Sequence, residues 1–259
     1  MKKKEKKQLK KILIAIIFSI VIAVLGYYGY DISAITDIGN NNVSNIKSDY
    51  ITNVSISNSN KTSFKIGEIP NFDGSTPYVT INSNIPDFEE KYFTTKSFEE
   101  YAPLDSLGRC GVAFANVSID TMPTGEREAI SKIKPTGWQN AKYDFIDGKY
   151  LYNRCHLIGF QLTAENANEK NLITGTRFMN VQGMLPFENK VAEYVKKNKK
   201  HVLYRVTPIF EGDNLVASGV KMEAESVEDK GSSIMFNVYV YNSQPKVKIN
   251  YLTGASSIK

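Results

Sequence analysis

The chain has 259 residues, 42% of them hydrophobic and 11% aromatic, with a formal net charge of +5. That length and apolar content supply one sizeable core plus appendages and exclude disorder throughout. The charge is concentrated: residues 1–11 hold seven Lys and one Glu, so the tail carries +6 and the remaining residues sum to −1, which excludes overall charge as an argument for a nucleic-acid partner.

Such a partner would have to meet local clusters, either Lys132, Lys134, Lys142, Lys149 and Arg154, or Lys196, Lys197, Lys199 and Lys200. Alone, clusters of this kind are ordinary solvated surface.

After the lysines, Ile12 to Gly26 is apolar apart from Ser19, and Tyr27, Tyr28 and Tyr30 fall where an interfacial aromatic belt sits. The 19 residues from Ile12 to Tyr30 approach the roughly 20 needed to span a bilayer, and no small-x-small cleavage site follows. Residues 1–30 read as a basic cytoplasmic tail and an N-terminal transmembrane anchor, the alternative being a cleaved signal. One-sided positive charge places everything beyond on the extracellular face of the membrane, or secreted if the segment is cut. Residues 31–66 are an Asn/Ser-rich linker with no apolar periodicity. Residues 67–259 form the folded domain. Asn42, Asn53, Asn60 and Asn116 match the glycosylation acceptor pattern.

Within the domain, Tyr78 to Ile81 and Gly111 to Ile119 are expected as strands, and Ser97 to Tyr101 as a short helix. Lys142 to Asn153 reads as a hairpin turning at Asp147-Gly148, with His156 just past its second arm. Phe187, Val191, Tyr194 and Val195 recur at helical spacing, so Leu185 to Asn198 is an amphipathic helix with Pro186 in its first turn. His201 to Phe210, Leu215 to Glu225 and Ser233 to Asn242 follow as an antiparallel meander, broken by Glu211-Gly212-Asp213-Asn214 and Glu228-Asp229-Lys230-Gly231. The fold class is α+β.

The chemistry concentrates in Asn153-Arg154-Cys155-His156-Leu157-Ile158-Gly159, followed by Asn171, Asn180 and Glu188, in a chain with only two histidines. Phosphodiester hydrolysis needs a base for water, positive charge for the phosphoryl oxygens and stabilisation of the departing 3′ oxygen. His156 can supply the first, Arg154 and another arginine the second, a divalent metal the third. A neutral amide such as Asn180 suits Mg²⁺, which dehydrates reluctantly.

Asn153-Arg154-Cys155-His156 resembles the Asp-Arg-Gly-His motif of the DNA/RNA non-specific endonucleases. These have the ββα-metal fold, a central antiparallel sheet flanked by helices, and include Gram-positive DNA-entry nucleases and streptococcal DNases. Asn171 to Asn180 is nine residues and Asn180 to Glu188 eight, as in that family. The resemblance extends to Leu104 to Arg109, to Pro135-Thr136-Gly137-Trp138 and to the closing strands, over Ile69 to Gly254. It implies His156 as general base, Asn180 as Mg²⁺ ligand with Mn²⁺ as a substitute, and Arg154 on the transition-state phosphate. Asn171 would support the site and Glu188 would act on the metal through a water. The family's second arginine is carried to Arg127, with Arg109 the other candidate. The implied activity is hydrolysis of DNA, and of RNA as well, to 5′-phosphorylated products, with no obligate protein partner. Two positions depart from the motif, Asn153 for Asp and Cys155 for Gly.

Two other readings compete. An anchored DNA-capture module would use basic patches and need neither His156 nor metal. A cysteine transpeptidase or protease would use Cys155 with His201, although Cys155 and His156 are neighbours on one strand and face opposite sides. Cys110 and Cys155 stand outside the cell, where a disulfide is permitted, while two Cys and two His lack zinc-finger spacing.

Overall fold

The computed structural model describes residue 67 and residues 69–259. The proposed anchor and the whole linker lie outside them, and no helix among the described residues is long and apolar enough to cross a membrane.

A six-stranded antiparallel sheet forms the frame. Its strands are β1 (Tyr78–Thr80), β2 (Phe98–Tyr101), β3 (Ala113–Val117), β6 (Val202–Ile209), β7 (Gly219–Ser226) and β8 (Met235–Tyr241), in the order β1-β8-β7-β6-β3-β2. The meander β6-β7-β8 matches the expectation from the turn clusters. Ser97 to Tyr101 does not: this stretch is strand β2, paired Phe98 to Asn116 and Tyr101 to Ala113 along β3. Phe98 also packs edge-on against Phe114 at 5.0 Å, so sheet pairing and aromatic packing override the weak local helical pattern.

β3 and β6 are neighbours in the sheet, with Val117 opposite Val202, and the whole intervening chain forms an excursion on one face. It contains β4 (Tyr152–His156), the short helix α1 (Phe160–Thr163), β5 (Leu172–Thr176), a π-helical stretch (Met179–Met184) and α2 (Leu185–Asn198). α2 has the boundaries its periodicity predicts, with Pro near its start, and ends where Lys199 turns left-handed at φ 56°. Its Val191, Ala192 and Val195 bury against Val202, Tyr204, Met222 and Phe236 of the sheet. Each such aliphatic side chain contributes about 1.5–3 kcal/mol on leaving water. The other sheet face is closed by Phe88, Tyr92, Phe93 and Phe98 over Phe114 and Leu203.

The expected hairpin is reduced to one bridge, Lys142 to Tyr150. Gly148 and Lys149 carry the positive φ angles, 72° and 66°. β4 then leaves that first arm and pairs with β5, His156 opposite Leu172. A turn falls at Asp147-Gly148 as expected, closed by the Lys149 N–H on the Ile146 carbonyl, but its positive φ angles lie one residue later than that pair, and the strand carrying His156 finds its partner further along the chain. A closing hairpin, β9 (Val247–Ile249) with β10 (Ser256–Ile258), packs Val247 and Ile249 against Leu151, Tyr152 and Trp138.

Asn116 sits in mid-β3, fully buried, with its amide donating to the carbonyls of Thr94 and Lys96. It cannot accept a glycan in the folded domain. Cys110 and Cys155 are both free and buried. The Cys110 thiol donates to the carbonyls of Glu169 and Leu172, the Cys155 thiol to Asn180.

Candidate active site

β4 divides the motif between its two faces, as strand alternation requires. Arg154 and His156 share one face. Cys155 points the other way, into the core, where its Sγ donates to Asn180 Oδ1 at 3.0 Å and contacts Met184 Sδ at 3.5 Å. The motif's Gly159 lies hard against the carboxyl of Glu188: a Cβ there would stand 2.6 Å from Oε2. This glycine is needed because the loop after β4 passes over the acid.

The His156 ring is buried, with Nε2 2.8 Å from the Asn166 carbonyl oxygen and Nδ1 3.3 Å from Arg127 Nη2. A carbonyl only accepts, so Nε2 carries the hydrogen and Nδ1 keeps its lone pair. Burial lowers the imidazole pKa, the two backbone carbonyls of Asn166 and Glu165 raise it by less, and the Arg127 charge lowers it further. The ring is therefore a neutral imidazole at neutral pH with one basic nitrogen beside an arginine.

Arg154 is fixed by two backbone carbonyls, Nε donating to Ile133 and Nη2 to Ser131 at 2.8 Å. Its guanidinium lies 4.2 Å from the centroid of the Trp138 ring. The remaining N–H groups are free to meet an anion. Arg109 is placed elsewhere: Nε pairs with Asp105 at 2.7 Å, Nη1 donates to the Gly212 and Asn214 carbonyls, and the cation lies over Phe210. Of the two candidates for a second arginine, only Arg127 meets His156.

Asn171 is fully buried and clamps the chain just past His156. Its Nδ2 donates to the Ile158 carbonyl and its Oδ1 accepts from the Ile158 N–H, each at 2.9 Å. The helix cap at this point is Asn168. Asn180 sits in the π-helical stretch and Glu188 in the first turns of α2, eight residues apart and so about two turns along one face. Burial raises the Glu188 pKa to about 7, with Gln161 and Arg127 opposing it by less.

Among the described residues no three His, Cys, Asp or Glu side chains gather into a metal cage. Instead there is the Asn180 amide oxygen, which accepts from the Cys155 thiol, and one buried carboxylate whose charged form is only partly compensated by Gln161 and Arg127. This sparse hard-oxygen set fits a divalent ion that keeps most of its water and completes its shell from substrate. It does not fit a closed structural zinc site. His201, the other histidine, bonds Glu228 Oε1 at 2.8 Å and takes no part. Burial holds the Cys155 thiol well above its ordinary pKa, with Glu188 adding to the rise, so it is no nucleophile.

Sequence reasoning missed two contributors. The Asn166 carbonyl has no side-chain signature, since every residue carries one. Trp138 stood in a quoted segment, but nothing in the sequence joined it to Arg154.

An antiparallel sheet bearing a strand-strand-helix excursion, with a buried neutral histidine beside Arg127 and on the same strand face as Arg154, defines a phosphodiester-cleaving class of enzyme. The DNA/RNA non-specific endonuclease family model matches residues 89–228. The chain belongs to that family and is a nuclease. Its fold is similar to that of NucA from Streptococcus agalactiae with a magnesium ion bound, at TM-score 0.63 and 23% identity over 71% of this chain and 87% of that one. It is also similar to the Sda1 nuclease with a bound zinc ion, at TM-score 0.56 and 26% identity over 71% of this chain and 97% of that one. No curated protein sequence matches.

Proposed function

We propose that the protein is a divalent-metal-dependent, sequence-non-specific endonuclease acting on DNA and RNA outside the cell, with His156 as general base. The observation that carries this is the Nε2–H to Asn166 bond, which leaves Nδ1 unprotonated beside Arg127. Nδ1 takes a proton from water, the water oxygen attacks phosphorus, and the P–O3′ bond breaks with its electron pair on O3′, which takes up a proton from solvent, leaving a 5′-phosphate and a 3′-hydroxyl. Arg127 and Arg154 bear on the phosphoryl oxygens as charge builds.

Asn180 through Oδ1, and Glu188 through a water, would hold the metal, Mg²⁺ by preference and Mn²⁺ as a substitute. When bound, the metal stabilises the developing charge on the leaving oxygen. The Sda1 and NucA structures, with zinc and magnesium respectively, support a divalent ion in a site of this kind. Asn171 positions the loop that carries Gly159 over Glu188. Contacts directed at phosphate and sugar account for the lack of sequence readout. The apolar run after the basic tail supports attachment to the outer membrane face.

The test is degradation of plasmid, single-stranded DNA and RNA by the compact unit beginning at Lys61, with Mg²⁺ and with EDTA, alongside His156→Ala. Mg²⁺-dependent cleavage lost in the variant is expected. Cleavage that survives chelation and follows Cys155→Ser overturns the assignment, as does a mobility shift with no cleavage.

A further inference from the structure

An open cleft of about 710 Å³ adjoins the two site arginines, its wall formed by Arg127, Arg154, Trp138, Tyr150, Lys134 and Asn153 among others. We propose that this cleft is a nucleobase subsite that takes one unpaired nucleotide of the substrate strand, so that single-stranded nucleic acid is cleaved in preference to duplex. The proposal rests on the nuclease reading above and adds a substrate class to it.

Two observations point to a base. Tyr150 is 46% exposed although the Lys142 ammonium lies 4.6 Å from its ring centroid, so part of a π-surface stays open to solvent beside a cation. Trp138 is half-buried, and the Arg154 guanidinium lies against it, which extends the aromatic wall to the reacting phosphate.

Charge decides the class of occupant. Aromatic walls alone would accept any flat apolar ligand, but Arg127, Arg154 and Lys134 ring this cleft with positive charge, and a nucleotide carries both a π-face and a phosphate. Bases inside a duplex hide their faces against neighbours and cannot reach a side wall without unpairing, whereas single strands present them freely. Continuity with Arg154 places the occupied position next to the scissile phosphate.

The experiment compares kcat/KM of the purified protein on a single-stranded DNA oligonucleotide and on its duplex, for wild type, Tyr150→Ala and Tyr150→Trp. An end-labelled series with one abasic residue moved along the single strand accompanies it. Wild type is expected to favour the single strand. Tyr150→Ala should lower the single-strand to duplex ratio roughly tenfold, as loss of one stacked base predicts, and Tyr150→Trp should retain it. Cleavage beside the abasic residue should be suppressed in wild type and not further in Tyr150→Ala. Equal losses on both substrates, or no abasic footprint, overturn the subsite. Absence of any Mg²⁺-dependent cleavage by wild type instead overturns the nuclease mechanism itself, a separate outcome.

Discussion

Gly175 of β5 lies directly against Cys155 of β4: a Cβ added at Gly175 would stand 2.6 Å from the Cys155 Cβ and 2.6 Å from the Met179 methyl. The cysteine occupies a place where the motif of this family has glycine, and the facing strand supplies the missing space. Gly175→Ala should therefore destabilise the protein by about 1–3 kcal/mol through overpacking. In a Cys155→Gly background the same change should cost much less, because only the flexible end of Met179 remains in the way. A double-mutant cycle by urea unfolding measures the coupling; additive losses would refute the compensation.

His156→Ala should lower kcat by roughly 10²–10⁴, the range of a lost general base. His156→Gly should recover part of it with added imidazole. The acidic limb of kcat/KM should fall below pH about 6.5, the ordinary imidazole value, because burial and Arg127 lower the pKa and a base works only while neutral. A pH–rate profile with its acidic limb above that value would contradict the assignment.

Glu188 makes metal binding visible in stability. Its carboxyl is raised to about 7 from 4.5, so in that window the folded state binds more protons than the unfolded one. Stability due to this group is fully present below about 4.5 and lost as pH rises through about 7, a change of at most about 3 kcal/mol. Metal-free protein should show this slope in Tm against pH, and Glu188→Gln should lack it. Added Mg²⁺ should raise Tm more at pH 8 than at pH 5, since it favours the ionised carboxylate. An identical pH slope in Glu188→Gln would exclude the carboxylate as its source.

The two arginines considered for one role separate by what each mutation changes. Arg127→Ala should leave the unfolding free energy within about 0.5 kcal/mol of wild type, as for an exposed side chain, and lower kcat roughly 100-fold as a lost charge stabiliser. Arg109→Ala should do the reverse, loosening the Asp105 and Gly212 contacts while kcat per folded molecule is kept. Urea titration paired with initial rates distinguishes them.

Neither thiol is partnered in a disulfide, so reductant should not shift Tm. A thiol-specific reagent should detect Cys110 and Cys155 only after denaturation, given their burial.

Much of this architecture was legible because it is written in local pattern. The α2 boundaries follow from apolar periodicity plus Pro186, and the β6-β7-β8 meander from its turn residues. The Asp147-Gly148 turn was also legible. What escaped was set by pairing over long distance. β2 has a helix-like local composition and becomes a strand only because β3 accepts it. β4 pairs with β5 across α1, which no short-range signal specifies. In the site, His156, Arg154, Asn180 and Glu188 were visible as residue types at fixed spacings. The tautomer of His156 depends on a main-chain oxygen, and the fit of Cys155 on the absence of an atom at Gly175. A side-chain alphabet encodes neither directly.

The placement of the site excursion between sheet neighbours β3 and β6 governs when that excursion can pack during synthesis. A nascent chain that has emerged only as far as Asn198 already contains Arg154, His156, Asn180 and Glu188, yet it lacks β6, β7 and β8, whose Val202, Tyr204, Met222 and Phe236 the apolar stripe of α2 buries against. The ladder from Ala113–Val206 to Val117–Val202 must close a long loop before any of its contacts reward the lost chain entropy. Packing of the excursion against the sheet is thus a late event in maturation, completed only after β6 has paired with β3.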